Sequence, residues 1–189
     1  MSAVDTKSAL LAEAETLVRT VGYTAFSYAD LSERVGIRKA SIHHHFPTKE
    51  ALGNALIDSY LARFVKDLEQ LSERRLDVKG KLTAYGEFFS AGMRDGLMPL
   101  CGALAADAAD LPQSMRRRVD RFFRVHLEWL ETELRGALAR GEVRSDVKPE
   151  RAAMLVLSTL QGASLVAWAL HDPTVIKPTL RDVIEGLTR

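Results

Sequence analysis

Met115, Val119, Phe122, Phe123, Leu127, Leu130, Leu134 and Leu138 return every three or four residues, a period that only a long α-helix with one buried face satisfies. The pattern recurs along the chain. No stretch offers period-two alternation between hairpin turns, so the expected fold class is all-α. Helices are predicted over 6–21, 28–35, 39–45, 48–74, 78–94, 101–109, 113–140, 150–171 and 174–187. The breaks between them fall at Gly22, Gly36, Pro47, Gly96 with Pro99, Pro112, Gly141 with Pro149, and Pro173. The one change of character lies near residue 47, where three short helices give way to longer ones. This predicts an N-terminal domain over 1–47 and a second helical domain over 48–189.

Charge narrows the partners. The chain has 26 Lys+Arg against 25 Asp+Glu, so a polyanion must be met by a local patch and not by the whole surface. Cys101 is the only cysteine, which excludes an intrachain disulfide and any multi-cysteine metal cradle; a reducing cytoplasm is the expected compartment. Asp5, Lys7, Glu13 and Glu15 interrupt the first fifteen residues, so no export signal is visible there. Ala152 to Leu170 carries no charge and approaches the length of a bilayer span. Ser158, Thr159, Gln161, Gly162 and Ser164 break its apolar character, so the expectation is no membrane partner and a helix buried on two faces, by its own core and by a second subunit.

Ser27-Tyr28-Ala29-Asp30 has the form of a capping box and predicts a helix start. That helix ends at Gly36, which can take the left-handed conformation of a tight interhelical turn, and the next begins about three residues later. Two short helices around a glycine turn make a helix-turn-helix candidate, whose second helix can enter the major groove of duplex DNA. From Arg34 to Lys49 the chain carries Arg34, Arg38, Lys39, Lys49 and three histidines, with no acidic residue. Arg38, Lys39, Ser41, His43 and His44 suit phosphate oxygens and base edges, while Ile42 and Phe46 fall where the unit needs core.

The stretch from Gly22 to Leu52, GYTAFSYADLSERVGIRKASIHHHFPTKEAL, resembles the DNA-binding signature of TetR/AcrR-type transcriptional regulators, and the resemblance covers roughly residues 8–55. It implies that Ser27 and Tyr28 meet phosphate at the start of the second helix. Lys39, Ser41, His43 and His44 would face the groove, and Lys49 would bind backbone phosphate. Two departures stand out. His43 and His44 replace the usual aromatic residues, and Arg38 stands where a serine often caps the recognition helix, so the target sequence cannot be borrowed from relatives.

For the second domain the resemblance implies a cavity for a small-molecule inducer of unknown identity. Phe64, Phe88, Phe89, Met93, Cys101, Phe122, His126, Trp129, Gln161 and Trp168 are its candidate lining, alongside Tyr85 and Phe123. Dimerisation is expected through helices 150–171 and 174–187, where Gly162, Ala163 and Ser164 would allow close approach. Two half-sites about 34 Å apart would then make the operator a near-palindrome. Adjacent His43, His44 and His45 point about 100° apart on a helix and cannot converge on one ion, so no metal is expected. Nor is a cofactor.

No nucleophile, base and orienter set stands out near the cysteine or the histidines, so catalysis is not expected either. The reading is a ligand-responsive repressor; a constitutive DNA-binding protein with a dimerisation-only second domain is the alternative. For Cys101 two readings stay open. A helix start favours a thiolate and a sensor of electrophiles or oxidants, whereas Asp107 and Asp110 and the usual burial of free cysteine favour core packing.

Overall fold

The computed structural model describes residues 3–188, and among them the elements are helical, apart from one isolated bridge between Val143 and Thr188. The helices are α1 (Ala3–Val21), α2 (Tyr28–Val35), α3 (Lys39–His45), α4 (Lys49–Glu73), α5 (Val78–Arg94), α6 (Leu100–Ala106), α7 (Gln113–Ala139), α8 (Pro149–Leu170) and α9 (Ile176–Leu187). A 3-10 turn, Pro173–Val175, precedes α9. The chain divides into two compact units. Unit 1 is the N-terminal part through Ala62 with Leu100–Arg121; unit 2 is Arg63–Pro99 with the chain from Phe122 onward.

In unit 1, α1 buries Leu10, Ala14, Leu17 and Val18, which recur at helical spacing. The predicted capping box is present: the Ser27 hydroxyl accepts from the Ala29 and Asp30 amides, and the Asp30 carboxylate accepts from the Ser27 amide at 2.7 Å. Hydrogen bonding from Ser27 holds the Asp30 carboxyl below its usual range. Gly36 ends α2 at φ 73° with its amide on the Ser32 carbonyl, and Ser32 Oγ donates to the Ile37 carbonyl at 2.5 Å. The segment after α6 is tied to the helix-turn-helix side of this unit, because Asp107 accepts from the Tyr23 amide at 3.0 Å. Asn54 donates to Ser114 at 3.0 Å, and Arg118 forks onto Asp58 at 3.0 Å. The predicted helix over 101–109 stops at Ala106, where the Asp107 carboxylate is spent on the turn after α1.

Unit 2 packs α5 against α8 and α9. Gly86 permits the α5–α9 approach, since a Cβ there would lie 2.2 Å from Leu180 Cδ2. Lys81 and Glu133 form a largely buried ion pair at 2.8 Å, and Glu142 accepts from the first amide of α5 at 2.8 Å. The apolar helix α8 is long and apolar enough to cross a membrane by length and composition, but one face lies in the unit core through Ala152, Val156, Leu160 and Ala167. Ala163 and Ser164 lie on that inner face, with Ser164 Oγ donating to the Leu160 carbonyl at 2.8 Å. Of the three residues expected at the dimer contact, Ala163 and Ser164 pack into the protomer's own core and Gly162 is exposed. The helix ends at His171, at φ 54°, a left-handed cap on a non-glycine residue that Pro173 alone did not signal.

Nothing lies within 4 Å of where a Cβ on Gly36 would stand, so only backbone conformation is at stake there. Gly36→Ala is expected to cost about 1–2 kcal/mol, and Gly36→Asn less, read as shifts of the urea unfolding midpoint. Equal stability of all three proteins would contradict a left-handed requirement at this turn.

Candidate nucleic-acid interface

Helix α3 has a packed side and a wet side. Ile42 and Phe46 are buried, whereas Arg38, Lys39, Ser41, His43 and His44 are exposed together. Arg38 is the N-cap residue, extended at φ −71° and ψ 146°, and its side chain makes no capping hydrogen bond, which leaves the guanidinium outside the helix start. His45 is half-buried with its ring 5.4 Å from that of His44. His43 sits 4.9 Å from the Tyr28 ring, and its Nδ1 is 3.3 Å from the Pro47 carbonyl oxygen.

Three flanking residues do more inside the protein than the sequence indicates. The Tyr28 hydroxyl donates to the Phe46 carbonyl at 2.8 Å, and burial pushes the phenol up to about 12. Tyr28 therefore ties the start of α2 to the end of α3, and its proton is not available to a phosphate. Lys49 is turned inward: its ammonium donates to the Phe26 and Thr24 carbonyls and lies 4.3 Å from the Phe26 ring centroid and 4.7 Å from that of Tyr23. Partial burial lowers its pKa. In the DNA-free protein the Lys49 charge thus braces the turn before α2. Ser27 is exposed but occupied by its own cap.

Unit 2 assembles most of the aromatic residues named from sequence. His126, 1% exposed, is the hub: Phe64 stacks on it at 4.1 Å, Phe122 lies at 4.4 Å and Phe89 at 6.1 Å. Phe88 reaches the group through Phe64 at 5.7 Å, and Trp129 stacks on Tyr85 at 5.2 Å. The Tyr85 hydroxyl is 2.5 Å from His126 Nδ1. Met93 and Trp168 lie elsewhere, in a cleft of about 370 Å³ with Arg94, Gly96, Ala167, His171 and Pro173. Gln161, half-buried on α8, belongs to neither group. Cys101 is a core residue of unit 1, 1% exposed, and burial with nearby Glu15 pushes its thiol up. Desolvation opposes the thiolate that a sensor needs, which favours the packing reading of Cys101 over the sensor reading.

Burial lowers the His126 pKa from 6.5 to about 3, so the folded protein holds it neutral. Below about pH 6.5 the unfolded chain gains a proton that the folded chain refuses. Stability from this group is thus complete above that pH and falls as the pH drops toward 3. Urea unfolding followed across this range is expected to show the loss in the wild type and a flatter profile in His126→Leu. Identical profiles would contradict neutral burial.

Residues 10–56 match the family model described as "Bacterial regulatory proteins, tetR family", and residues 80–183 match "Tetracyclin repressor-like, C-terminal domain". A TetR-family transcriptional regulator from Agrobacterium tumefaciens has a solved structure similar to this chain at TM-score 0.94 and 31% identity, covering 100% of both chains. The "HTH-type transcriptional repressor NemR" of Escherichia coli K12 is 26% identical over 169 residues, 86% of this chain and 84% of that protein. The "Nucleoid occlusion factor SlmA" of Marinobacter nauticus is 29% identical over 126 residues, 66% of this chain and 62% of its own length. With both family models in sequence order, and the capped helix-turn-helix they cover, the chain belongs to the TetR family of bacterial transcriptional regulators.

Proposed function

We propose that this protein is a cytoplasmic repressor that binds a near-palindromic operator as a homodimer and is released by a small-molecule inducer. The observation that carries the reading is the wet face of α3, where Arg38, Lys39, Ser41, His43 and His44 are exposed side by side and no acidic residue interrupts the segment from Arg34 to Lys49. Residues 1–47 act as the DNA-binding domain and 48–189 as the ligand-binding and dimerisation domain. Arg38 and Lys39 meet phosphate, which holds the protein on the duplex, while Ser41 and His44 read base edges. His43, braced by Tyr28, supports the end of α3, and Lys49 positions the turn before α2. The chemistry is binding alone.

A second copy docks on α8. Met154, Leu155, Leu165, Val166 and Leu170 are between 49% and 63% exposed; among the described residues Val21 is the only other large hydrophobic so exposed. Concentrating such residues on one helix marks a protein contact, and Gly162 on the same exposed side allows close approach. Pairing two recognition helices about 34 Å apart supplies the contacts that one short helix lacks. Helix α4 carries Lys49 at its start and Phe64 in the aromatic cluster, so a ligand that moves Phe64 moves one continuous helix. Release follows if the ligand binds the DNA-incompetent state more tightly.

Fluorescence anisotropy with the DNA flanking the gene tests this. Binding is expected to weaken steeply with salt. Arg38→Ala and Lys39→Ala are expected to weaken all duplexes alike, whereas Ser41→Ala and His44→Ala change the preference between sequences. Equal losses on operator and random DNA for all four would remove the base-reading roles. Leu165→Glu is expected to keep its helical content, sediment as a monomer and lose operator affinity at least tenfold, because an unpaired charge in an apolar contact is strongly penalised. An unchanged dimer would put the interface elsewhere.

A further inference from the structure

Met93 and Trp168 meet outside the His126 cluster, in the cleft of about 370 Å³ at the ends of α5 and α8. Arg94, Gly96, Ala167, His171 and Pro173 complete its walls, all of them within unit 2. The apolar part of the wall is the Met93 thioether, Ala167, Pro173 and the half-buried Trp168 indole; the charged part is Arg94 and the exposed His171. The cleft opens to solvent. The Arg94 side chain is 59% exposed, and a Cβ on Gly96 would meet nothing within 4 Å. Leu165, Val166 and Leu170, which carry the dimer contact above, are not among its walls. Ligand sites run from about 300 to 1,000 Å³, so this one suits a body of one or two rings.

The polar groups of this wall are left to solvent. Among the described residues Arg94 has one ion pair, with Glu87 at the long distance of 4.0 Å, and the other Glu87 oxygen lies 2.7 Å from the Lys177 ammonium. Neither the Trp168 indole N–H nor the His171 ring makes a hydrogen bond to the described residues. No acidic residue lines the cleft. Asp95 and Asp172 follow Arg94 and His171 in sequence but stand outside the walls, and Asp172 spends its carboxylate on the Thr174 amide and hydroxyl, at 2.9 and 2.6 Å. His171 is fixed in place by its backbone, at φ 54° with its amide on the Ala167 and Trp168 carbonyls. A left-handed non-glycine residue is uncommon, and such conformations gather at ligand sites.

We infer that this cleft binds an aromatic carboxylate of one or two rings, its flat body against Trp168 and Met93, its carboxylate on the guanidinium of Arg94, and His171 as a second donor. A guanidinium fork matches a planar carboxylate through two parallel hydrogen bonds. An indole face and a thioether favour a flat apolar body. A cation is repelled by Arg94, and a neutral ring gains the apolar contact without the fork. The inference deepens the inducer reading above by naming a ligand class, and rests on it only for the consequence at the operator. For that consequence α5 is the link, since Met93 and Arg94 share it with Phe88, whose ring meets Phe64 of α4 at 5.7 Å.

Titration calorimetry on the full-length, DNA-free protein tests this with 2-naphthoate and its uncharged counterpart of the same shape, 2-naphthamide. Naphthoate is expected to bind about tenfold or more tightly than the amide. Arg94→Gln removes that advantage and leaves the affinity for the amide unchanged, whereas Trp168→Leu weakens both probes. Arg144→Gln, an exposed change outside the cleft, leaves both as in the wild type. Circular dichroism checks folding, and Arg94→Gln, at an exposed position, decides alone if Trp168→Leu does not fold. The amide binding as well as naphthoate, an advantage that survives in Arg94→Gln, a folded Trp168→Leu that binds as the wild type does, the same loss in Arg144→Gln, or no binding of naphthoate would each overturn the assignment. None of those results touches operator binding by the unliganded protein, and failure of operator binding leaves the calorimetry intact, so the two readings fail separately.

Discussion

Burial of Ile42 and Phe46 is what makes α3 a helix, because seven residues cannot sustain one in water. Each side chain contributes about 1.5–3 kcal/mol when removed from water, and the pair sets the rotation of the helix. With that side fixed inward, Arg38, Lys39, Ser41 and His44 are turned to the wet side, and His43 lies beside them against the Tyr28 ring. No side-chain cap helps, since Arg38 occupies the N-cap without making one. The reading face is thus a by-product of core packing.

The same economy runs through the supports of that face. Tyr28 and Lys49 are polar residues turned back on the protein, one to the Phe46 carbonyl and the other to the carbonyls and rings before α2. Each joins segments far apart in sequence, the kind of tie that holds a small helical unit with few apolar contacts in register. In unit 2 the corresponding hub is polar at its centre, and the Tyr85–His126 pair is enclosed by rings.

Local signals carried most of the fold. The capping box at Ser27 and the left-handed Gly36 are read within four residues, and the α7 stripe within one helix, so sequence and structure coincide there. What local signals could not carry was tertiary. Ala163 and Ser164 are small wherever they point, and only the packing of α8 shows that they face inward while Leu165 and Val166 face out. Cys101 reads as a helix-start thiol until its burial is known. Lys49 lies in a basic run, and nothing local says that its ammonium curls onto Phe26. His126 was legible as an isolated polar residue on an apolar stripe; its unpaired nitrogen required the position of Tyr85.

The central claim is that two copies of α3 enter successive major grooves of one duplex. Hydroxyl-radical footprinting on the DNA flanking the gene measures this directly. The claim requires two protected patches related by a twofold axis, about one helical turn apart and centred on major grooves. A single patch, or protection spread without register along the duplex, would contradict it.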